Sequence, residues 1–319
     1  MASEKLFDTS FFHRLARLSL SARIHPLSGF SGHYKSKRKG NSIEFSDIRE
    51  YLPGDDIRRI DWNAYARTEK LFVKLYIDER DMHYHILIDM SRSMDIPKEK
   101  SNHTRLIAAM LAWLALKNGD RIDITFLKEQ GSYTTKTYSG TACFYHLLTE
   151  LEQAEFSGIC HIKEKIHSLS FHGSGTVFLL SDFLYPWIHT KTEETTNHSL
   201  AEIIENAHKD MAYILRMLRN KKQSSILIQI VSRQEESPEI LFTETSSEQL
   251  FTLTDSETGK EIKITPSKEL LKNYHMTKTM LENQLYATTI QCQSSYLKTI
   301  SDEPLEKLLE SGLKKGIWK

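Results

Sequence analysis

Four short strand-like runs, near-continuous in their apolar residues and separated by helical segments, constrain this chain more than any other feature. They are His83 to Ile88, Arg121 to Phe126, Thr176 to Leu180 and Ser225 to Val231. Thr104 to Lys117, Thr141 to Ala154 and Ala201 to Arg219 fall between them and read as helices. The last is preceded by a polar loop, Thr190 to Ser199. A strand exposed on one face would alternate apolar and polar residues. Strands that do not, and that are joined by helices, predict an α/β fold with a mostly parallel sheet covered by helices on both faces.

The flanking segments differ. Residues 4 to 23 read as a helix in which Phe11, Phe12, Leu15 and Leu18 recur near helical spacing. Such a helix packs on its own domain, or lies on a membrane surface or a partner. From Gly29 to Ile77 the chain is rich in glycine, charge and short alternating segments, with a turn at Pro53-Gly54 and a strand at Leu71 to Ile77. Toward the C-terminus, Leu250 to Leu253 and Glu261 to Ile264 flank Asp255 to Gly259 as a β-hairpin. A long helix from about Ser267 to Ala287, a strand near Ser295 to Leu297 and a helix from about Pro304 follow. The expected division is an N-terminal helix (1–28), a small β-rich or irregular subdomain (29–81) and the main α/β domain (82–319).

Composition narrows the function classes. The 319 residues carry 42 basic and 42 acidic side chains, so net charge gives no pull toward nucleic acid or acidic membranes. The charge is uneven, however. No acidic residue lies between Asp8 and Glu44, where Arg14, Arg17, Arg23, Lys35, Lys37, Arg38 and Lys39 fall. The cysteines Cys143, Cys160 and Cys292 are odd in number and far apart, which argues against a disulfide framework and for a reducing compartment. The longest apolar run, Leu106 to Leu116, is too short for a membrane span of about 20 residues. The expected location is the cytoplasm, free or peripheral to the inner membrane.

In open parallel sheets, ligands sit at the carboxyl ends of the strands. Asp89 ends the His83 to Ile88 strand and Asp182 follows Thr176 to Ser181. Ser91 and Ser93 come next after Asp89, so their hydroxyls can face the same point as its carboxylate. Oxygen donors without imidazole or thiolate make a hard site that suits Mg²⁺ or Mn²⁺. An Asp-Ser strand end can equally be a helix cap. The second strand-terminal carboxylate, with the Gly140-Thr141 helix start between the two, favours metal.

Asp89-Met90-Ser91-Arg92-Ser93, then Thr141, then Asp182, resembles the metal-ion-dependent adhesion site of von Willebrand factor A domains. A longer segment is more specific. Glu44-Phe45-Ser46-Asp47-Ile48-Arg49-Glu50-Tyr51-Leu52-Pro53-Gly54-Asp55-Asp56 runs on through Ile57-Arg58-Arg59-Ile60-Asp61-Trp62-Asn63. It continues by Ala66-Arg67 and Val73-Lys74 to Glu79-Arg80-Asp81, and resembles the bacterial "domain of unknown function 58" family over roughly residues 29 to 312. The resemblance implies a von Willebrand A-like (Rossmann-like) domain with a small added β-rich part. It implies a metal held by Asp89, Ser91, Ser93 and Thr141, with Asp182 acting through a water. It also implies a protein partner that supplies a carboxylate to the metal, and work as an adaptor beside a MoxR-type AAA+ ATPase in chaperone-like, stress or envelope processes. Ser139-Gly140-Thr141 departs from the usual Gly-Gly-Thr context, which leaves Thr141 the least secure ligand.

Other readings compete. A phosphoryl-transfer enzyme with Asp89 as nucleophile would need an acid two residues on, where Ser91 stands. An anionic-ligand binder would use Lys35 to Lys39, but no nucleic-acid motif accompanies that stretch, and no Ser/His/Asp or Cys/His catalytic set is visible. His83 and His85 share a strand face but have no third ligand nearby in sequence, and read as ordinary strand residues. The alternating charges of Arg49, Asp55, Asp56, Arg58, Arg59, Asp61 and Arg67 read as an ion-pair and turn network or as a docking surface, and Trp62 as a core anchor.

Overall fold

The computed structural model describes residues 6–21, 43–78, 82–184, 200–242 and 250–318. Two compact units emerge: Ser31–Asp81, and Met1–Phe30 together with Met82–Lys319. The basic residues Lys35, Lys37, Arg38 and Lys39, the Thr190 to Ser199 loop and the Glu79-Arg80-Asp81 end of the long motif lie outside the described residues.

The chain opens on α1 (Thr9–Ser21), which belongs to the larger unit. Asp8 starts it by accepting the Phe11 amide at 2.8 Å. Phe7, Phe11 and Leu15 are buried in the same core cluster as α3 below. Phe11 and Leu15 of its apolar face are thus spent inside the larger unit.

The smaller unit is a two-stranded antiparallel ribbon of β1 (Ile43–Glu50) and β2 (Phe72–Asp78), with the short helix α2 (Trp62–Thr68) between them in sequence. The charged motif makes local turns and caps. Arg49 forks onto Asp55 at 2.8 and 2.6 Å and holds that carboxyl below its usual range. Asp61 caps α2 by accepting the Asn63 and Ala64 amides. Trp62 is not the expected anchor, being 62% exposed. As the first residue of a helix capped by Asp61 it faces outward, and Ile60 and Val73 are the buried apolar side chains of this unit among the described residues.

In the larger unit follow β3 (His83–Asp89), α3 (Lys98–Lys117), β4 (Arg121–Leu127), β5 (Ser132–Thr134) and β6 (Tyr138–Ser139). Next are α4 (Phe144–Gln153), α5 (Ile162–Ser168), β7 (Gly175–Ser181), α6 (Leu200–Asn220), β8 (Gln223–Val231) and α7 (Arg233–Glu236). The hairpin β9 (Phe251–Thr254) and β10 (Glu261–Ile264), then α8 (Lys268–Gln291), β11 (Ser295–Ile300) and α9 (Leu305–Lys314), complete it.

One seven-stranded sheet organises this unit in the order β11-β8-β7-β3-β4-β5, with β6 also paired to β4. The pairs from β11 to β4 are parallel, whereas β5 and β6 run antiparallel to β4. The expected mixed α/β class and mostly parallel sheet are therefore present. Every residue of β3 is buried. Alternate side chains serve two cores: Tyr84, Ile86 and Ile88 join α1, α3, α4 and α9, while Leu87 joins α5, α6 and α8. At about 1.5–3 kcal/mol per fully buried large apolar side chain, these two layers supply the main drive to fold. Gly175 is required where β7 starts, because a Cβ there would lie 2.4 Å from the His83 carbonyl oxygen.

Several elements differ from expectation. The helix expected from Thr104 begins at Lys98, since its first turns carry the buried polar residues Lys100, Ser101 and His103 and show no apolar stripe. The helix expected from Thr141 is a 3-10 turn over Thr141–Cys143, followed by α4. β5, β6 and α5 are short, and their apolar residues are too few to mark a period.

Candidate metal centre

Asp89 stands at the carboxyl end of the central strand β3 and is fully buried. Its carboxylate is held in place: Oδ1 accepts the Ser91 amide at 2.9 Å and Oδ2 accepts the Ser181 hydroxyl at 2.7 Å. The Ser91 hydroxyl and the Cys160 thiol lie beside it. Burial raises the Asp89 pKa to about 6, with the neighbouring Asp182 adding to the rise and the Ser181 and Ser91 donors opposing it. Burial, with Asp89 alongside, also pushes the Cys160 thiol well up, so it stays protonated rather than serving as a thiolate ligand.

The turn leaving β3 is fixed from two sides. Met90 donates to the Leu127 carbonyl, Ser157 donates to the Met90 carbonyl, and Arg92 donates to the Gly158 carbonyl. This seats Ser91 and Ser93 with their hydroxyl oxygens 3.0 Å apart. Glu257, from the turn between β9 and β10, is half-buried and lies close enough to feel Ser93, Asp182 and Asp89. Burial, and then the charges of Asp182, Asp89 and Asp255, raise the Glu257 pKa to about 7 against the effect of Ser93.

Asp182 is adjacent but differently employed. Its Oδ1 accepts the Leu184 amide at 3.1 Å, and its Oδ2 receives Lys100 Nζ at 2.9 Å. Lys100 is fully buried and also reaches Glu235 Oε1 at 2.8 Å and the Ser93 carbonyl at 3.2 Å. Burial works to lower the Lys100 pKa, but Asp182 and Glu235 outweigh it and keep the ammonium charged. Phe183 adopts a left-handed conformation (φ 52°), and the Ser181 hydroxyl accepts its amide. This strained turn aims Asp182 back toward Lys100.

The donor chemistry fits a hard divalent cation. Adjacent ligands on an octahedral Mg²⁺, with bonds of about 2.1 Å, lie about 3 Å apart. The Ser91–Ser93 separation of 3.0 Å matches that edge. Asp89, Ser91 and Ser93 could hold the ion directly. Asp182, whose charge is already paired with the buried Lys100 ammonium, could reach it through a water.

Thr141 is not brought to this place. β6 pairs with the Arg121 end of β4, whereas Asp89 pairs with Leu127 at the other end. Thr141 follows β6 directly, so it starts from the far side of the sheet, about 20 Å along β4. It is exposed, and among the described residues no hydrogen bond joins it to Asp89, Ser91, Ser93 or Asp182. The expectation took the segment after β4 as a simple crossover, whereas the antiparallel β5 and β6 carry the chain back. The segment that does border Asp89 runs from Ser157 to Cys160.

Lys100, Cys160, Ser181 and Glu257 escaped sequence reasoning. Ser181 alone carried a signal, as the residue preceding a strand-terminal aspartate. The histidines also gain a partner. Asp123 of β4 lies 2.6 Å from His83 Nε2 and 2.9 Å from His85 Nδ1, and the three buried side chains form a group close enough to hold an ion. The register His85↔Asp123 produces this contact, at the end of the sheet away from Asp89. The two imidazoles hold the Asp123 carboxyl below its usual pKa against the effect of burial. The two imidazoles satisfy the buried Asp123 carboxylate, while His85 Nε2 is itself buried without a hydrogen-bond partner among the described residues.

Comparison with known proteins gives a family and little detail beyond it. The family described as "Protein of unknown function DUF58" matches residues 47–284. The uncharacterized proteins Mb1516 of Mycobacterium bovis and Rv1480 of Mycobacterium tuberculosis are 35% identical over 86 residues, 26% of this chain and 27% of theirs. The alignment thus spans about a quarter of the length of these relatives. Among solved structures, the pilus adhesin SpaC from Lactobacillus rhamnosus GG in its open conformation matches 76% of this chain and 30% of its own, at 10% identity and a TM-score of 0.39. The family match covers most of the chain, including Asp89, Ser91, Ser93, Asp182 and Glu257, and this chain therefore belongs to the DUF58 family.

Proposed function

We propose that this chain is a metal-dependent protein-binding adaptor with a von Willebrand factor A-like domain, holding Mg²⁺ or Mn²⁺ at Asp89, Ser91 and Ser93. The observation that carries the reading is the run of oxygen donors at the carboxyl end of the central strand, with the two serine hydroxyls 3.0 Å apart. The sheet order, parallel with an antiparallel edge, and the second carboxylate at the end of the adjacent strand β7 support it. An ion held by one charged side chain and two hydroxyls stays electrophilic, so a carboxylate from a partner would bind it strongly. Lys100 neutralises Asp182, which keeps the local charge low enough for that carboxylate to approach.

The partner we propose is a MoxR-type AAA+ ATPase, in the cytoplasm or at the inner membrane. No helix among the described residues is long and apolar enough to cross a membrane. The test is capture of the MoxR-type ATPase of the same organism by the immobilised chain, in Mg²⁺ and in EDTA, with Asp89→Ala alongside. Capture that depends on Mg²⁺ and is lost in Asp89→Ala is expected. Equal capture in all arms would remove the metal from the account.

A further inference from the structure

At the end of β3 opposite Asp89, strand periodicity puts His83 and His85 on one face, with their ring centroids 4.1 Å apart. The register sets Asp123 of β4 against His85 on that face. His83 Nε2 lies 2.6 Å from Asp123 Oδ2, and His85 Nδ1 lies 2.9 and 3.0 Å from the two carboxylate oxygens. All three side chains are buried, and the ring of Phe171 meets that of His85 edge to face at 4.8 Å. Two imidazole nitrogens and a carboxylate oxygen thus converge within 4.8 Å of one another in a buried place.

Hydrogen bonding within this group leaves two polar atoms over. A neutral His85 that donates to Asp123 from Nδ1 keeps Nε2 as a bare acceptor, and Nε2 is buried with no hydrogen-bond partner among the described residues. Gln223 Oε1 is a second buried acceptor in the same condition. The Gln223 amide cannot turn over to help, because its Nε2 already donates to the carbonyls of Gly173 and Lys221 at 2.9 and 3.0 Å. Both orphaned atoms border one spot: a Cβ on Gly175 would lie 2.8 Å from Gln223 Oε1 and 3.3 Å from His85 Nε2. Two acceptors side by side satisfy neither.

A cation between the imidazoles and Asp123 removes the mismatch. His85 then gives its Nδ1 lone pair to the ion and carries its proton on Nε2, on the side of Gln223. Histidines that bind metal usually hand their other N–H to such an oxygen, which fixes the tautomer. We propose that His83 Nε2, His85 Nδ1 and the Asp123 carboxylate hold a zinc ion, in a second metal site independent of the one at Asp89. Ligands on a tetrahedral zinc, with bonds of about 2.0–2.2 Å, stand about 3.3 Å apart, inside the range that the three groups span. Two nitrogens and one oxygen suit Zn²⁺ over Mg²⁺ or Mn²⁺, and they leave the fourth position to a water. The ion clamps β3 to β4 where the two strands begin.

The test uses the full chain in excess Mg²⁺, to occupy the Asp89 site, with Co²⁺ as a visible probe of the zinc position and Zn²⁺ as its competitor. Wild type and Asp89→Ala should each bind one Co²⁺ with the strong visible absorption of a four-coordinate ion, and Zn²⁺ should bleach it. His85→Gln should bind more than about 100-fold more weakly, beyond the loss that follows removal of a supporting contact alone. Imidazole ¹⁵N spectra of wild type give a readout that needs no variant. Zn²⁺ should change two histidines, one becoming bound through Nδ1 and the other through Nε2. No Co²⁺ bound in excess Mg²⁺ would overturn the proposal. So would absorption lost in a folded Asp89→Ala, undiminished binding in His85→Gln, or imidazole spectra that Zn²⁺ leaves unchanged.

Discussion

Lys100 Nζ lies 2.9 Å from Asp182 Oδ2, and the two side chains are 0% and 1% exposed. A fully buried ion pair between the first turn of α3 and the end of β7 joins two elements 82 residues apart. It also removes Asp182 from direct competition for a cation. The second contact of Lys100, to Glu235, extends the link to α7, whose capping box uses the other oxygen of the same glutamate.

Replacing Lys100 by methionine should therefore be costly. Asp182 and Glu235 would be left facing each other without a cation, and breaking a buried pair typically costs about 3–5 kcal/mol. Urea unfolding would measure it, and Lys100→Met combined with Asp182→Asn should recover part of the loss. An unchanged unfolding midpoint for Lys100→Met would contradict the geometry.

Asp89→Asn should act oppositely in the absence of metal. The wild-type carboxylate is desolvated and faces Asp182, so the amide should leave the metal-free melting temperature equal or raise it. Added Mg²⁺ or Mn²⁺ should raise the melting temperature of wild type and not that of Asp89→Asn, because a ligand that binds only the folded state stabilises it by mass action. Equal metal-induced shifts in both proteins would place the ion elsewhere.

His103 gives a pH dependence independent of the metal site. It is buried in α3 and hydrogen-bonded with Thr299, and burial lowers its pKa from 6.5 to about 4 against the pull of Glu303 and Asp302. A depressed folded value means that its stabilising contribution is complete above pH 6.5 and is lost as pH falls from 6.5 toward 4. Between pH 7 and 5 the expected loss is on the order of 2 kcal/mol. Unfolding free energies at the two pH values should show this decrease in wild type and a smaller one in His103→Gln.

Asp123→Asn should destabilise the fold without touching the ion at Asp89. The substitution weakens the bonds to His83 and His85 in a buried place, at a cost of about 1–3 kcal/mol. Asp123 lies near the opposite end of the sheet from Asp89, roughly 15 Å along the strands. Mn²⁺ affinity should therefore equal that of wild type. A marked loss of Mn²⁺ binding would instead point to the His83-His85-Asp123 group as the ion's seat.

How far the sequence carried can be read from particular residues. The strands from His83, Arg121, Thr176 and Ser225 were legible because both of their faces are buried, which suppresses polar alternation. Asp89, Ser91, Ser93 and Asp182 were legible because a parallel sheet offers its ligands at strand ends, and a strand end is a local event. The start of α3 was missed where buried Lys100 and His103 replace apolar residues. Trp62 was misjudged because its burial depends on how a very small unit is covered.

The sequence by itself determined the layered α/β class, the strand ends and the oxygen character of the site, since each follows from hydrophobic period and short-range chemistry. Only the tertiary structure decided which distant groups meet there. Lys100 reaches Asp182 because the first turn of α3 packs beside the end of β7, and Asp123 reaches two histidines through strand register. Thr141 departs because β5 and β6 reverse the chain. These are contacts between segments tens to hundreds of residues apart, and their reason is packing geometry, which leaves no mark in any local pattern.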